Sequence, residues 1–199
     1  MPRNVFTVIW VLTPLAYLLG TFPSAVLVAR SKGVDITAVG SGNPGASNIA
    51  RTLGPRWGVV VFALDALKGA IPAAIGLVLL DRPGAYVLVA AAVLGHLYPA
   101  TRRFHGGKGV ATMAGAFAVL HPVVWIVLAL IWAGVRFTTK KASLASIAIA
   151  IGLPIGIALA GNDSWEILAS LGLASLVMVR HAGNIRRLLR GRELSASGS

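Results

Sequence analysis

Long stretches with almost no charged side chains alternate with short basic loops along this chain. A membrane-spanning helix needs about 20 apolar residues, with about 17 as the lower limit. Most of the apolar stretches reach or approach that length, so the pattern predicts an all-α, polytopic membrane protein. The segments are Val5–Val28, Trp57–Leu80, Gly84–Ala100, Val110–Leu120, Val123–Val135, Leu144–Ala160 and Trp165–Val179.

Two neighbouring segments, Val110–Leu120 and Val123–Val135, are too short to span a bilayer on their own count. Either one kinked helix or two helices extended by flanking residues fits their lengths. Charge favours two helices, because lysine and arginine gather on the cytoplasmic side of membrane proteins. With two helices, one side of the membrane holds 15 of the 18 basic residues: Arg30, Lys32, Arg51, Arg56, Arg102, Arg103, Lys108, Arg136, Lys140, Lys141, Arg180, Arg186, Arg187, Arg190 and Arg192.

This charge distribution predicts seven transmembrane helices with the N-terminus outside and the C-terminus in the cytoplasm. Arg3 and Arg82 remain on the outer side, and Lys68 lies within a span. Residues 1–194 are expected to form one transmembrane domain, with residues 195–199 as a disordered tail. The first span is too long for a cleaved signal peptide.

Composition narrows the function. Charged residues make up 12% of the chain, whereas a soluble globular domain has about 25%. The net charge of +12 would suggest nucleic acid in a soluble protein, but in a membrane protein it indicates anionic headgroups or substrates. The absence of cysteine excludes disulfides and thiolate chemistry, and six scattered acidic residues make a metal site unexpected. We therefore expect no nucleic acid, no metal and no cofactor.

The first basic loop contains a glycine-rich stretch, Gly40–Asn48, followed by Arg51. It matches G-x-G-x-x-G, but no strand precedes it, which excludes the dinucleotide-binding interpretation. A helix starting near Pro44 would direct free N–H groups at an anion. A capped turn beside an ordinary juxtamembrane arginine explains the loop equally well. The side chains that would add hydrogen-bond donors are Ser41, Asn43, Ser47 and Asn48.

The second basic loop ends in Gly106-Gly107-Lys108-Gly109. It lacks the upstream glycine and the hydroxyl residue of a Walker A motif. What it offers is a lysine among backbone amides at the start of a helix, which suits a phosphate or an oxyanion. His96, within an apolar segment just before this loop, is expected to be a structural hydrogen-bonding residue.

Two more polar segments lie on the same side. Thr138–Ser146 contains Ser143 beside Lys140 and Lys141, and taken alone it is best explained as a solvated basic loop with a helix cap. In the last segment, His181 and Asn184 share a helical face, and an interfacial amphipathic helix is compatible with that arrangement. Asp65 and Lys68 lie three residues apart within a span, where an ion pair is favoured over a catalytic role.

Together these segments resemble the bacterial acyl-phosphate:glycerol-3-phosphate acyltransferases over the whole chain. The resemblance rests on Ser41–Arg51, on Gly95–Pro99 with Gly106–Gly109, and on His181–Glu193, supported by the Asp65-x-x-Lys-Gly69 element. His105 stands where the family usually has lysine, and Ser47 where threonine is common. The effect of the first departure on phosphate affinity is left open.

The resemblance implies transfer of an acyl group from acyl phosphate to the sn-1 hydroxyl of glycerol-3-phosphate, giving lysophosphatidic acid and phosphate for phospholipid biosynthesis. It also implies a multi-pass protein of the bacterial cytoplasmic (inner) membrane with its active site on the cytoplasmic side. Acyl phosphate, glycerol-3-phosphate and membrane lipids are the expected partners, and no obligate protein partner is evident. The His-x-x-x-x-Asp motif of other glycerol-3-phosphate acyltransferases is absent from this chain. Acyl-chain preference and oligomeric state are left open.

The same resemblance implies roles for individual residues. Lys108 would act on the oxyanion with the nearby backbone amides, and Arg51 and Asn184 would hold glycerol phosphate. The general base is either His181 or a phosphate oxygen of the substrates. The implied catalytic residues are Lys108, Ser41 and His181; the implied substrate-binding residues are Arg51, Asn43, Asn48, Gly106, Gly107, Gly109, Ser143 and Asn184.

Three other functions fit the sequence less well. A transporter of organic phosphates would need polar groups near the bilayer centre and usually an internal repeat. A lipid-binding subunit would explain the basic loops but not three glycine-rich segments. A CDP-alcohol phosphotransferase would need clustered aspartates for metal.

Overall fold

The computed structural model describes residues 3–195, and this part of the chain is all-α, as the hydrophobic pattern predicts. Residues 196–199, most of the tail expected to be disordered, lie outside the described part. A short 3₁₀ turn, Ala100–Arg102, lies between the fifth and sixth α-helices. The α-helices are α1 (Arg3–Gly20), α2 (Ser24–Arg30), α3 (Ala46–Leu53), α4 (Pro55–Leu79), α5 (Arg82–Leu97), α6 (Val110–Leu120), α7 (Pro122–Thr139), α8 (Ala142–Leu159), α9 (Ser164–Arg180) and α10 (Ala182–Leu189).

Local sequence explains several helix boundaries. Pro55 and Pro122 occupy the first positions of α4 and α7, where the missing N–H costs no helical hydrogen bond. The Asp81 carboxylate accepts a hydrogen bond from the Gly84 N–H at 2.6 Å and so caps α5. The chain breaks between α1 and α2 at Thr21–Pro23, within the first predicted span.

Five stretches in the described part are long and apolar enough to cross a membrane, with α1 and α2 counted together as Thr7–Arg30. A sixth candidate is α9 with α10, which are bent by 60° at their junction. α6 has the boundaries expected from the sequence but only 11 residues, which is about 16 Å of helix against a hydrocarbon core of about 30 Å. α7 extends four residues beyond Val135, the expected end of that segment.

The largest core cluster lies between α4, α5, α6, α7, α8 and α9. α4 and α6 approach especially closely, because Gly69 faces Thr112 and Gly115 faces Ala66. A Cβ atom at either glycine would lie 1.9 Å from a backbone oxygen of the other helix. Small residues at helix crossings are the usual way in which membrane helices gain packing contacts.

The outside of the bundle carries large apolar side chains. Trp10 is 77% exposed, Val78 80% and Leu159 84%. A surface with this much exposed hydrocarbon matches lipid rather than water as its solvent.

Polar contacts gather at two ends of the bundle. At one end, which we call the Lys108 end, residues before α6, within the first turn of α8 and after α9 share one network. At the other, the Arg82 end, the residue between α6 and α7 contacts the first turns of α5 and α9. The chain therefore runs from the Lys108 end to the Arg82 end in α6 and back again in α7.

Candidate active site

A connected hydrogen-bond network lies at the Lys108 end. The Lys108 Nζ donates to Asn184 Oδ1, and Asn184 Nδ2 donates to Glu193 Oε1 at 2.6 Å. The Ser143 hydroxyl donates to the same carboxylate oxygen at 2.8 Å, and Arg187 Nε donates to the other oxygen at 2.9 Å. Three sequence-predicted residues, Lys108, Ser143 and Asn184, are thus brought together although they are far apart in the chain.

Glu193, which has no role among the sequence-predicted site residues, is at the centre of this network. Its side chain is only 4% exposed. Burial alone would raise the pKa of this carboxyl, but hydrogen bonds from Asn184, Ser143 and Arg187 overcome that effect and lower the pKa below its usual value. A lone acidic residue within a strongly basic segment was the available signal for its importance.

Lys108 lies immediately before Gly109, the residue that caps α6 in a left-handed conformation (φ +83°). Burial lowers the pKa of its amine to about 8, although the Glu193 carboxylate opposes that shift. The positive charges of Arg187, Arg180 and Arg51 lower it further. The amine is therefore a cation near neutral pH that is held among other cations, which favours an anionic ligand.

The first glycine-rich loop is organised by Asn48, which is 2% exposed. Its amide nitrogen donates to the carbonyls of Ile36 at 3.2 Å and Val39 at 3.0 Å. Its amide oxygen accepts from the Ser41 N–H at 2.9 Å and from Arg51 Nη1 at 3.2 Å. All four hydrogen-bonding positions of this amide are used, so Asn48 shapes the loop that presents Ser41 and Arg51.

Asn43 lies in the same loop, where its N–H donates to the Ser41 hydroxyl at 3.4 Å. Arg51 joins this loop to the C-terminal segment, because its Nε donates to the Ser195 carbonyl at 2.9 Å. Arg51 also interacts electrostatically with Glu193. The first loop and the Lys108 network therefore border the same region. The helix expected near Pro44 begins at Ala46, with Gly45 as its capping residue.

His181 occupies the junction of α9 and α10 and is 2% exposed. Its Nδ1 lies 2.8 Å from the Val177 carbonyl oxygen, which can only accept a hydrogen bond. Nδ1 therefore carries a proton, and Nε2 is the acceptor nitrogen of the neutral ring. His181 interacts electrostatically with both Lys108 and Glu193.

The backbone of Gly106 and Gly107 is held by its surroundings. The Gly107 N–H donates to the His96 carbonyl at 3.0 Å. Arg180 donates from Nη2 to the Gly106 carbonyl at 2.8 Å and from Nε to the Gly107 carbonyl at 3.1 Å. Among the groups expected to bind substrate, the Gly107 amide is thus already paired within the protein. Arg180 was not singled out from the sequence.

Asp65 and Lys68 form the expected buried ion pair, with 2.6 Å between Lys68 Nζ and Asp65 Oδ1. Ser24 also donates to this carboxylate, and Lys68 donates to the Phe22 carbonyl at 2.5 Å. The pair therefore ties α4 to the break between α1 and α2, which is a structural role.

His105 is exposed, and its Nδ1 contacts the Arg103 carbonyl oxygen at 2.7 Å.

A second polar cluster at the Arg82 end was not anticipated. Arg82 Nε donates to Glu166 Oε1 at 2.8 Å, and Tyr86 donates to Glu166 Oε2 at 3.0 Å. His121 Nε2 lies 2.9 Å from the same carboxylate. This cluster joins α5, α9 and the turn between α6 and α7, at the opposite end of the bundle from Lys108.

The chain is similar to known proteins over most of its length. The family model described as glycerol-3-phosphate acyltransferase matches residues 10–191. A glycerol-3-phosphate acyltransferase of Aquifex aeolicus is 42% identical over 181 residues, covering 89% of this chain and 94% of the relative. One of Desulforudis audaxviator is 41% identical, covering 90% and 91%.

Two solved structures are also similar. Both are crystal structures of PlsY (YgiH), an integral membrane glycerol 3-phosphate acyltransferase. The glycerol 3-phosphate form has a TM-score of 0.90 and 40% identity, and each chain is covered to 94%. The lysophosphatidic acid form has a TM-score of 0.88 and 39% identity, with the same coverage.

Proposed function

Because this chain belongs to the glycerol-3-phosphate acyltransferase family and is an integral membrane protein, we propose that it transfers an acyl group from acyl phosphate to the sn-1 hydroxyl of glycerol-3-phosphate. The products are lysophosphatidic acid and inorganic phosphate. The observation that carries this proposal is the convergence of Lys108, Asn184, Ser143 and Arg51 on one region of the bundle.

The reaction needs little covalent chemistry from the protein. The glycerol hydroxyl oxygen attacks the acyl carbonyl carbon, a tetrahedral oxyanion forms, and the bond between that carbon and the bridging oxygen breaks. The bridging oxygen leaves with the phosphate. Because phosphate is a good leaving group, no protein nucleophile is required, in keeping with a chain that lacks cysteine.

Cations in the site would act on the negative charge of both substrates. Lys108, beside the N-terminus of α6, would stabilise the developing oxyanion. Arg51 and Asn184 would bind the phosphate of glycerol-3-phosphate, and Ser41, Asn43 and Ser143 would orient the substrates. Asn48 would act by holding Ser41 and Arg51 in place.

The hydroxyl proton has two possible acceptors. His181 Nε2 is the acceptor nitrogen of a neutral imidazole, which suits a general base. A phosphate oxygen of either substrate is the other. A His181→Asn variant separates them, since substrate-assisted proton transfer leaves kcat within about tenfold, whereas loss of a general base costs about 10²–10⁴.

We further propose seven spans, with the N-terminus outside and the C-terminus and active site on the cytoplasmic side of the bacterial inner membrane. The seven-span arrangement is supported by the return of the chain at His121 between α6 and α7. The short α6 would be completed at membrane depth by the loop before it, since irregular backbone is tolerated there when it is buried in protein. The cytoplasmic location of the active site is supported by the basic residues gathered at the Lys108 end.

The test is an assay with purified protein, labelled glycerol-3-phosphate and matched donors, palmitoyl phosphate against palmitoyl-CoA. We expect turnover with palmitoyl phosphate alone, and we expect it to continue in EDTA. Equal rates with palmitoyl-CoA, or loss of activity in EDTA, would contradict the proposal. A Lys108→Ala variant, purified separately in the same way, controls for contaminating acyltransferases.

A further inference from the structure

The Gly106–Gly107 segment is held from two sides. On one side lies His96, whose carbonyl accepts from the Gly107 N–H at 3.0 Å. A Cβ atom would lie 2.1 Å from the His96 carbonyl oxygen if placed on Gly106, and 2.2 Å from His96 Nε2 if placed on Gly107. On the other side Arg180 bonds both carbonyls, at 2.8 and 3.1 Å. Two successive peptide groups immediately before Lys108 are thus fixed.

Arginine is suited to this position. Its planar fork of N–H donors reaches two carbonyls at once, which the single ammonium group of lysine does in a less fixed geometry. The guanidinium of Arg180 also lies over the Tyr98 ring, 5.4 Å from its centroid. With Nε and Nη2 on carbonyls and one face over a ring, the side chain has a single well-defined orientation.

We call the hydrogen bonds from Arg180 to the Gly106 and Gly107 carbonyls the Arg180 clamp. Its position in the fold links two parts of the candidate site. Arg180 is the last residue of α9, His181 follows it, and Asn184 lies one helical turn further along. The clamp therefore joins the helix end that carries His181 and Asn184 to the loop that carries Lys108. Lys108 and Asn184 meet directly across this junction.

We propose that Arg180 is a positioning residue for acyl transfer: by holding the Gly106 and Gly107 carbonyls, it fixes where Lys108 is presented to the reacting acyl phosphate. This inference rests on the proposed function. Arg180 acts through Lys108, because its Nε and Nη2 donate to backbone carbonyls of the loop that carries Lys108.

A positioning role differs measurably from direct phosphate binding. A ground-state phosphate contact, when removed, raises KM and leaves kcat nearly unchanged. Loss of positioning lowers kcat, because a displacement of about 1 Å at a reacting group costs about 10²-fold. If Arg180 acts through Lys108, replacing Arg180 has little further effect once Lys108 has been removed. The effects of the two substitutions on kcat are then not additive.

The experiment is a double-mutant cycle with Arg180→Gln and Lys108→Ala, using palmitoyl phosphate and labelled glycerol-3-phosphate. Arg180→Lys is the conservative variant. Arg186→Gln, on the exposed side of α10, is the matched control for loss of one arginine charge. Thermal unfolding in detergent shows whether each variant is folded.

We expect Arg180→Gln to lower kcat about 10²-fold with KM values changed less than about threefold, and Arg180→Lys to recover part of the loss. In the Lys108→Ala background, Arg180→Gln should change kcat less than about threefold. If Arg180→Gln does not fold, the same comparison with Arg180→Lys decides.

The inference is overturned if Arg180→Gln matches Arg186→Gln, if it raises KM for either substrate with kcat intact, or if its effect is undiminished in the Lys108→Ala background. Wild-type turnover with palmitoyl phosphate distinguishes a failure of the proposed function from a failure of the proposal for Arg180. Absence of wild-type turnover with palmitoyl phosphate refutes the proposed function, whereas normal wild-type turnover with any of these outcomes refutes only the role of Arg180.

Discussion

Lys108 and Arg51 are both cations at the candidate site, but their surroundings predict different kinetic roles. Lys108 lies at the start of α6, where a point charge and helix N–H groups act on the same charge. Arg51 lies in the last turn of α3 and is bonded to Asn48 and to the Ser195 carbonyl. The first arrangement suits a transition state, and the second suits a phosphate that is bound throughout the reaction.

We therefore expect Lys108→Ala to lower kcat about 10²–10³-fold, which is the usual cost of removing an oxyanion donor. Arg51→Ala should mainly raise KM for glycerol-3-phosphate, because a contact made equally in the ground and transition states affects binding alone. Lys140→Ala removes an exposed charge at the end of α7 and is the control. Steady-state kinetics on the folded variants decides, and an unchanged kcat for Lys108→Ala would contradict these roles.

The pKa of Lys108 gives a pH dependence. Burial lowers that pKa to about 8, with Glu193 opposing the shift and Arg187, Arg180 and Arg51 reinforcing it. The amine is charged below this pH and loses its proton as the pH rises. We expect kcat/KM, which reports the free enzyme, to fall along an alkaline limb centred near pH 8.

Lys108→Arg provides the check on that limb, because a guanidinium stays protonated throughout the alkaline range. The variant should retain part of the activity and lose the limb. A limb at the same pH in Lys108→Arg would assign it to another group.

The sequence indicates several of the site residues but not the contacts that they make. Lys108, Ser143, Asn184 and Arg51 could be selected because their segments resemble a known family. The resemblance also selected Asn48, as a substrate-binding residue. The hydrogen bonds of Glu193, Arg180 and Asn48 could not be predicted, because they form only when the chain folds. Arg180 meets Gly106 across 74 positions of the chain, and Ser143 meets Glu193 across 50. No local pattern encodes such pairs.

Among the elements, α6 shows what hydrophobic patterning can predict. Its limits, Val110–Leu120, follow from glycine before it and His121-Pro122 after it, and the structure has the same limits. The break between α1 and α2 was missed because Thr21–Pro23 carries no charge and does not interrupt the apolar pattern. Helix packing was likewise not predictable, since the glycines of α4 and α6 are informative only when the facing helix is known.

The α4–α6 crossing yields a stability prediction. Gly115→Ala would place a methyl group 1.9 Å from the Ala66 carbonyl oxygen, so the helices must separate. Overpacking of this kind costs about 1–3 kcal/mol. Gly172→Ala, with nothing within 4 Å of the added carbon, is the matched control.

Thermal unfolding in detergent should show a lower midpoint for Gly115→Ala and no decrease for Gly172→Ala. Equal midpoints for the two variants would mean that the crossing is looser than described.

At the scale of the whole molecule, polar contacts at the two ends of the bundle define a topology that can be tested. The chain has no cysteine, so single cysteines are clean probes. Thr101 is exposed in the loop before α6, on the side of the Lys108 end, and Ser164 is exposed at the start of α9, on the side of the Arg82 end.

In intact cells, an impermeant thiol reagent should label Ser164→Cys and leave Thr101→Cys unlabelled until the cells are opened. The reverse pattern would invert the proposed orientation, and labelling of both from outside would contradict the seven-span arrangement.

Acyl transfer by attack at the carbonyl carbon of an acyl phosphate can be followed directly by an isotope measurement. The donor is palmitoyl phosphate with ¹⁸O in the bridging oxygen, and the products are analysed by mass spectrometry. We expect one inorganic phosphate for each lysophosphatidic acid, with the ¹⁸O in the phosphate and none in the lipid. Phosphate released without lipid, or ¹⁸O retained on the acyl group, would contradict it.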